Sequence, residues 1–379
     1  MNNITKVDSL KCYGCGACYA SCPKKAIEMK MDSHGFYKPF LIKEKCINCG
    51  ICLNKCIIEK SQSLKNTYID LYGVKNRDTD IRNKSTSGGA FSLLFDYFKS
   101  LHGSIYACTL KNKEVMHIKS NVENVFLGSK YVQSNLNNIF LEILNDLSED
   151  NYVLFVGTPC QCAGLKSFLL GNKIETNKLL IVDFICHGTP SPKIFSDYVN
   201  YVEKKFNKKI IDHRFRPKIN GWKNHIELNV YSDGSSDSRT YESQLFKSIF
   251  YSHLGMKNAC FACEFASRER VSDITMADFW GIEKKHADFY DDSGVSFLMI
   301  NTKKGSSCFS QIQKNCDYIK VSIGDVNQPQ LLHPISMPDK YEAFWNDYDK
   351  KGFVYVIKKY YRAGAFYRFL SNIKNRLIK

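Results

Sequence analysis

Cys12, Cys15, Cys18 and Cys22 follow one another at x2, x2 and x3 spacing and run into Pro23, and the same register returns at Cys46, Cys49, Cys52 and Cys56. Three cysteines at x2 spacing wrap one tight loop and turn three thiolates toward one point, so a fourth must come from elsewhere. In two-cluster arrangements it comes from the other motif. The pattern therefore predicts two 4Fe-4S clusters, one on Cys12, Cys15, Cys18 and Cys56, the other on Cys46, Cys49, Cys52 and Cys22. Structural zinc usually takes two well-separated pairs, not an unbroken triplet plus one. A disulfide scaffold is disfavoured because no secretory signal opens the chain.

The elements that hold these loops are legible in part. Ala26 to Lys30 and Gly35 to Tyr37 read as two short strands turning near Gly35, the hairpin expected of a ferredoxin. Ile57 follows Cys56 where ferredoxins usually place proline, a departure that bears on loop geometry and not on ligation. Residues 63–84 are polar and mixed, as suits a linker. After them Lys84-Ser85-Thr86-Ser87-Gly88-Gly89 opens a helix whose Phe91, Leu94, Phe95 and Phe98 recur at helical spacing. Hydroxyls and glycines at a helix start expose backbone N–H groups, which suits an anion such as a cofactor pyrophosphate and equally suits a plain cap.

Two strand–loop–helix units follow a helix whose apolar face runs from Leu136 to Leu147. Tyr152 to Val156 leads into Gly157-Thr158-Pro159-Cys160-Gln161-Cys162, and Leu179 to Ile185 leads into Cys186-His187-Gly188-Thr189-Pro190. Both runs are apolar enough to be buried on two faces, as parallel strands are. Their loops then share the carboxyl edge of one sheet, where open α/β folds place ligands. Further on, Ile226, Leu228 and Val230 alternate before Asp233-Gly234, a hairpin signal, and Cys260-Phe261-Ala262-Cys263 supplies another thiol pair.

The 379 residues suffice for a small module and one substantial core. No stretch approaches eighteen uninterrupted apolar residues, so a cytoplasmic protein without a transmembrane segment is expected. The formal net charge of +15 is concentrated late: Lys350, Lys351, Lys358, Lys359, Arg362, Arg368, Lys374, Arg376 and Lys379 occur with no acid among them. Aromatics from Phe353 to Phe369 are interleaved. Such a basic helical segment could dock an acidic electron carrier, rest on an anionic membrane surface, or be a solvated face. No nucleic-acid-binding motif accompanies the charge, so nucleic acid is not an expected partner.

Ser-Gly-Gly-Ala-Phe-Ser from Ser87, Gly-Ser-Lys-Tyr-Val-Gln-Ser from Gly128, Gly-Thr-Pro-Cys-Gln from Gly157, Cys-His-Gly-Thr-Pro from Cys186, the Cys260/Cys263 pair and Ala277-Asp278-Phe279-Trp280-Gly281 occur in that order. The series resembles the coenzyme F-420 hydrogenase/dehydrogenase beta subunit family, with a two-cluster ferredoxin domain in front. The resemblance implies an α+β chain. A ferredoxin-type module spans 1–62 and a linker 63–84; an α/β flavin-binding domain with parallel strands spans 85–310, and a basic aromatic-rich segment spans 311–379.

The resemblance also implies FAD and a third cluster on Cys160, Cys186, Cys260 and Cys263; by spacing alone Cys162 could stand in for Cys160. Ser87, Gly88 and Gly89 would meet the FAD pyrophosphate, Lys130 and Tyr131 would lie near its ring, and the Gly157-Thr158 loop joins the cofactor-binding set. Cys108, Cys308 and Cys316 find no such partners and read as small buried residues. Electrons would be exchanged with a ferredoxin or a deazaflavin coenzyme, the flavin joining one-electron to two-electron chemistry. Asp183, His187 and Asp278 lie near the relevant motifs without any of them standing out as a proton donor. The expected function is an iron–sulfur flavoprotein oxidoreductase. Its rivals are a non-catalytic subunit wiring a partner dehydrogenase or hydrogenase, and an accessory to an anabolic pathway such as polysaccharide synthesis.

Overall fold

The computed structural model describes residues 2–58, 60–172 and 174–361. Each cysteine triplet is closed by a one-turn helix, α1 at Ala17–Ala20 and α2 at Ile51–Asn54, entered through Gly16 (φ 81°) and Gly50 (φ 78°). Left-handed backbone at those points costs least at glycine, so the Cys-x-x-Cys turns depend on it. Between them β1 (Ile27–Met31) pairs antiparallel with β2 (Tyr37–Leu41), which is the expected hairpin. Its turn is tied by Asp32, which accepts from the Phe36 N–H at 2.9 Å and pairs with Lys38 at 2.9 Å.

The body is built on an eight-stranded sheet. In chain order its strands are β3 (Asp70–Asn76), β4 (Ser104–Lys111), β5 (Glu114–Lys119), β6 (Val153–Val156) and β7 (Leu179–Phe184). A separate antiparallel trio follows, β8 (Ile210–Arg214), β9 (Leu228–Tyr231) and β10 (Ser236–Asp237). The main sheet then resumes with β11 (Ile274–Asp278), β12 (Ser296–Ile300) and β13 (Cys316–Lys320). The order across the main sheet is β13-β3-β12-β11-β7-β6-β4-β5. The inner pairs β4/β6, β6/β7 and β7/β11 are parallel, and the flanking pairs are antiparallel. Every residue of β6 is buried, as two-sided coverage requires.

The covering helices are α3 (Thr79–Lys84), α4 (Ala90–Ser100), α5 (Ile139–Ser148), α6 (Pro159–Leu169), α7 (Pro192–Phe206), α8 (Leu245–Ser252), α9 (Ile282–Lys285), α10 (Lys303–Ile312) and α11 (Tyr341–Tyr360). Leu94, Phe95 and Phe98 of α4 and Phe309 and Ile312 of α10 pack on one face of the sheet, and Ile143 of α5 and Leu165 and Phe168 of α6 on the other. The trio of strands packs with α7, α8 and α11 around Phe195, Phe215, Phe246 and Phe344. Among the described residues, no helix is long and apolar enough to cross a membrane.

Two of the segments read from sequence are corrected. Residues 63–84 are no plain linker, because they contain β3, which lies between β12 and β13. Its apolar content is Leu71, Tyr72 and Val74, and Gly73 is bare because the Phe279 ring stands 3.1 Å from where a Cβ would sit. Nor do residues 311–361 stand apart: β13 pairs at the edge of the sheet, and α11 buries Phe353, Val356 and Ile357. Within α11, Gly352 (φ 75°) breaks the helical path, and Asp347 pairs with Lys351 and Lys359. The basic residues from Arg362 onward lie outside the described residues.

Candidate functional site

Cys22, Cys46, Cys49 and Cys52 line one open depression, rimmed by Lys24, Ile47 and Ile51. Cys49 is exposed, and Ile47 beside it is 60% exposed. The other module quartet is turned inward: Cys18 faces Cys15, Cys12 and Cys56, and Cys15 faces Cys12 and Cys56. The exchange of Cys22 and Cys56 between motifs is thus present in the geometry. Among the described residues, no three Cys, His, Asp or Glu side chains converge closely enough for a single ion. The donor set of each quartet fits a 4Fe-4S cluster.

A third quartet forms at the carboxyl edge of the parallel strands. Cys160 stands in the first turn of α6 just beyond β6, Cys186 follows β7, and Cys260 and Cys263 come from the turn at 258–263. Cys186 faces Cys260, Cys160 and Cys263, in that order. Burial pushes the Cys160 thiol up to about 11 and that of Cys263 up to about 12, and holds Cys186 well above the ordinary range. Four half-buried thiols whose ionisation burial disfavours fit a group whose iron supplies the positive charge. Cys162 is placed elsewhere. Fully buried among Leu165, Phe168 and Ile181, its Sγ points at the Val182 and Gly157 carbonyls at 3.5 and 3.6 Å.

Polar anchors fix these loops. Gln161 Oε1 accepts from the Thr158 N–H at 3.0 Å, the returning half of a capping box, and Gln161 Nε2 donates to Ser134 at 2.8 Å. His117 lies 3.0 Å from both Ser134 Oγ and the Val156 carbonyl, so Nε2 carries the proton and Nδ1 accepts the hydroxyl. Thr158 Oγ1 is 3.2 Å from Cys160 Sγ and donates to Gln161 Oε1 at 3.0 Å. On the other side Arg270 donates to the Phe265 and Phe184 carbonyls and pairs with Asp183 at 3.1 Å in the core. Asp183 is therefore a positioning group that fastens the Cys263 loop to the end of β7.

The N-terminal module is seated directly on this edge. Cys15 lies against Gly164 of α6, where any Cβ would come within 2.9 Å of the Cys15 Cβ, and Cys15 also faces Cys160. Tyr13 packs edge-on against Phe265 at 5.3 Å and accepts from the Glu264 N–H at 3.3 Å. Tyr37 N–H donates to Gln133 at 2.9 Å, and Ser167 Oγ donates to the Lys55 carbonyl at 3.0 Å.

The residues expected at a flavin divide. The 86–89 loop and the 129–131 loop meet, Ser129 Oγ donating to Thr86 Oγ1 at 3.2 Å. Ser87 donates to the Val295 carbonyl at 2.9 Å, and Gly88 is bare because the Val74 carbonyl would stand 2.4 Å from a Cβ. Gly89 takes φ 84° at the start of α4. Lys130 is buried and donates to the Phe126 and Leu127 carbonyls at 2.5 and 2.9 Å, and burial brings it down to about 8. Tyr131 packs on Phe250 at 4.7 Å and His225 at 5.4 Å. Gly157 is hemmed by the Phe155 ring and Gln161.

Sequence reasoning missed the group beside Tyr131. Arg216 pairs with Asp278 and lies 4.8 Å over the Trp280 ring, which stacks on Trp222 at 4.9 Å and 11°. Trp222 Nε1 donates to Asp278 at 2.8 Å, and Lys218 donates to the Ser87 carbonyl at 2.7 Å. His187, next to Cys186, is held down by burial, with Asp278 the strongest charge acting on it. Cations near an aromatic platform at the carboxyl edge are a donor set that fits an anionic, ring-bearing cofactor. In the sequence only Trp280 stands beside Asp278, and nothing in the chain announces that Trp222 and Arg216 join them.

Comparison with known proteins agrees with this organisation. Residues 11–59 match the 4Fe-4S dicluster domain, and residues 150–325 match the C terminus of the coenzyme F-420 hydrogenase/dehydrogenase beta subunit. An uncharacterized ferredoxin of Methanocaldococcus jannaschii is 42% identical over 50 residues, 13% of this chain, and the match spans 64% of that ferredoxin's length. A chain of the F-420-reducing nickel–iron hydrogenase complex from Methanosarcina barkeri superposes with a TM-score of 0.47 at 16% identity, covering 70% of this chain and 85% of that one. The chain thus joins a stretch that matches a 4Fe-4S dicluster domain to a body that is similar, over residues 150–325, to the C terminus of the coenzyme F-420 hydrogenase/dehydrogenase beta subunit.

Proposed function

We propose that the chain is an iron–sulfur flavoprotein oxidoreductase in which electrons enter at the exposed Cys22/Cys46/Cys49/Cys52 centre. They would pass through the Cys12/Cys15/Cys18/Cys56 centre to a third centre on Cys160, Cys186, Cys260 and Cys263. The observation that carries this reading is the contact of Cys15 with Gly164, which leaves no protein layer between the inner module quartet and the body quartet. A bound FAD would supply the exchange between one-electron and two-electron chemistry. For it the 86–89 and 129–131 loops offer backbone donors, and Arg216, Lys218 and Lys130 offer positive charge. The Trp222/Trp280 stack offers an apolar face.

Exposed apolar residues at the outer centre, Ile47 and Ile51, with Lys24 beside them, suit a small acidic carrier of ferredoxin type. A deazaflavin coenzyme is the corresponding two-electron partner at the carboxyl edge. The family's description as a beta subunit favours a second reading, in which the chain relays electrons within a larger enzyme and binds no substrate itself.

Anaerobic purification with iron, sulfide and flavin quantification tests the proposal. Three clusters require about twelve iron per chain and two about eight. Absence of flavin defeats the flavoprotein reading. Re-oxidation of the reduced protein by a small molecule supports the enzyme, and re-oxidation by a protein partner alone supports the relay.

A further inference from the structure

Lys257 is a lysine only 3% exposed at the base of the Cys260–Cys263 turn. Its backbone belongs to the body: its N–H donates to the Thr189 carbonyl at 3.1 Å, and its carbonyl accepts from the Cys260 N–H at 3.0 Å. Its ammonium reaches the other way, into the N-terminal module. There it donates to the Tyr37 carbonyl at 3.1 Å and stands 5.4 Å from the Phe36 ring centroid. Gly14, at the turn between Cys12 and Cys15, makes room for it, since a Cβ at Gly14 would come within 2.9 Å of Nζ. The groups that act on its charge are Cys12 and Cys260, the like charge of Lys38, and Cys160, so cysteines of two different quartets lie within its reach. Asp32, which also feels this charge, is already paired with Lys38 at 2.9 Å.

We infer that Lys257 is an electrostatic positioning residue between two centres, its ammonium stabilising an added electron on the Cys12/Cys15/Cys18/Cys56 cluster and on the body cluster alike. Cluster potentials respond to nearby charge, and a dry site screens that charge little. One cation shared by both centres moves their potentials in the same direction, so this charge adds little to any step between them. The inference rests on the body-cluster reading for its second half; the module half stands on Cys12 alone.

The test is an anaerobic, EPR-monitored redox titration of the full chain beside Lys257→Met, Lys257→Gln and Lys257→Arg. The outer centre is identified by its loss in Cys49→Ala. In both neutral variants the reduced-to-oxidised ratio at fixed potential is expected to fall about tenfold at the inner module and body centres, which is about 59 mV for a one-electron couple. The outer centre should stay at its wild-type value, and Lys257→Arg should stay near wild type throughout. Unchanged inner potentials, or an equal shift at all three centres, overturns the inference. Iron loss from both neutral variants also overturns it, by making Lys257 an assembly residue. If wild-type iron is about eight per chain, the body-cluster reading has failed, and a shift confined to the inner module centre still upholds the cation's role there.

Discussion

Cys15 and Gly164 touch across the boundary of the N-terminal module and the body: a Cβ on Gly164 would lie 2.9 Å from the Cys15 Cβ and 3.1 Å from its Sγ. The contact turns one helix face into a seat for a cysteine loop, and its tolerance is a measurable quantity. Gly164→Val should cost about 1–3 kcal/mol by overpacking, read from the urea midpoint. It should leave the outer centre's iron in place and slow reduction of the body by at least about tenfold in stopped flow. Wild-type transfer with the bulky residue present would remove this contact from the electron path.

Cys160 and Cys162 differ by two residues and point to different surroundings. Cys160→Ala should remove about four iron per chain, as should Cys260→Ala, whereas Cys162→Ala should keep all of it. Loss of iron from the Cys162 variant would exchange the two roles.

Arg270 and Asp183 form an ion pair in the core, both almost wholly buried. Arg270→Met leaves a buried carboxylate without its cation and should destabilise the chain by about 3–5 kcal/mol in denaturant titration. Adding Asp183→Leu to that variant should recover part of the loss. A double variant worse than the single would show that Asp183 is held by other groups.

His117 is fully buried between Ser134 and the Val156 carbonyl, and burial holds its imidazole at about 4. Below its ordinary value of 6.5 the unfolded chain takes up a proton that the folded chain refuses, so stability is complete above 6.5 and declines as pH falls toward 4. The decline from pH 6.5 to pH 5 should be about 2 kcal/mol for this residue. His117→Gln should flatten the dependence by that amount, and an unaltered slope would assign it to other groups.

Much of this was legible in the chain itself. The eight module cysteines announce themselves by spacing, and the β6 and β7 runs by apolar character broken only at Asp183, which also puts Cys160 and Cys186 at one edge. β3 was hidden, because Asp70-Leu71-Tyr72-Gly73-Val74-Lys75-Asn76 carries little apolar content and takes its stability from β12 and β13 far along the chain. Spacing left Cys160 and Cys162 equivalent; only the turn of α6 sends one to the edge and the other to the core. Arg216, Trp222 and Trp280 converge from separate loops with no periodicity to reveal them. Lys257 looked like one of many lysines until its burial was known.

The position of β3 sets an order of manufacture. The module's ligands are all present once Cys56 has been made, and the body quartet is complete only at Cys263. β3, next after the module, then waits for Ser296–Ile300 and Cys316–Lys320 before either of its edges is paired. A nascent chain can thus present a complete set of module ligands at the front while the edges of the strand behind it are still open.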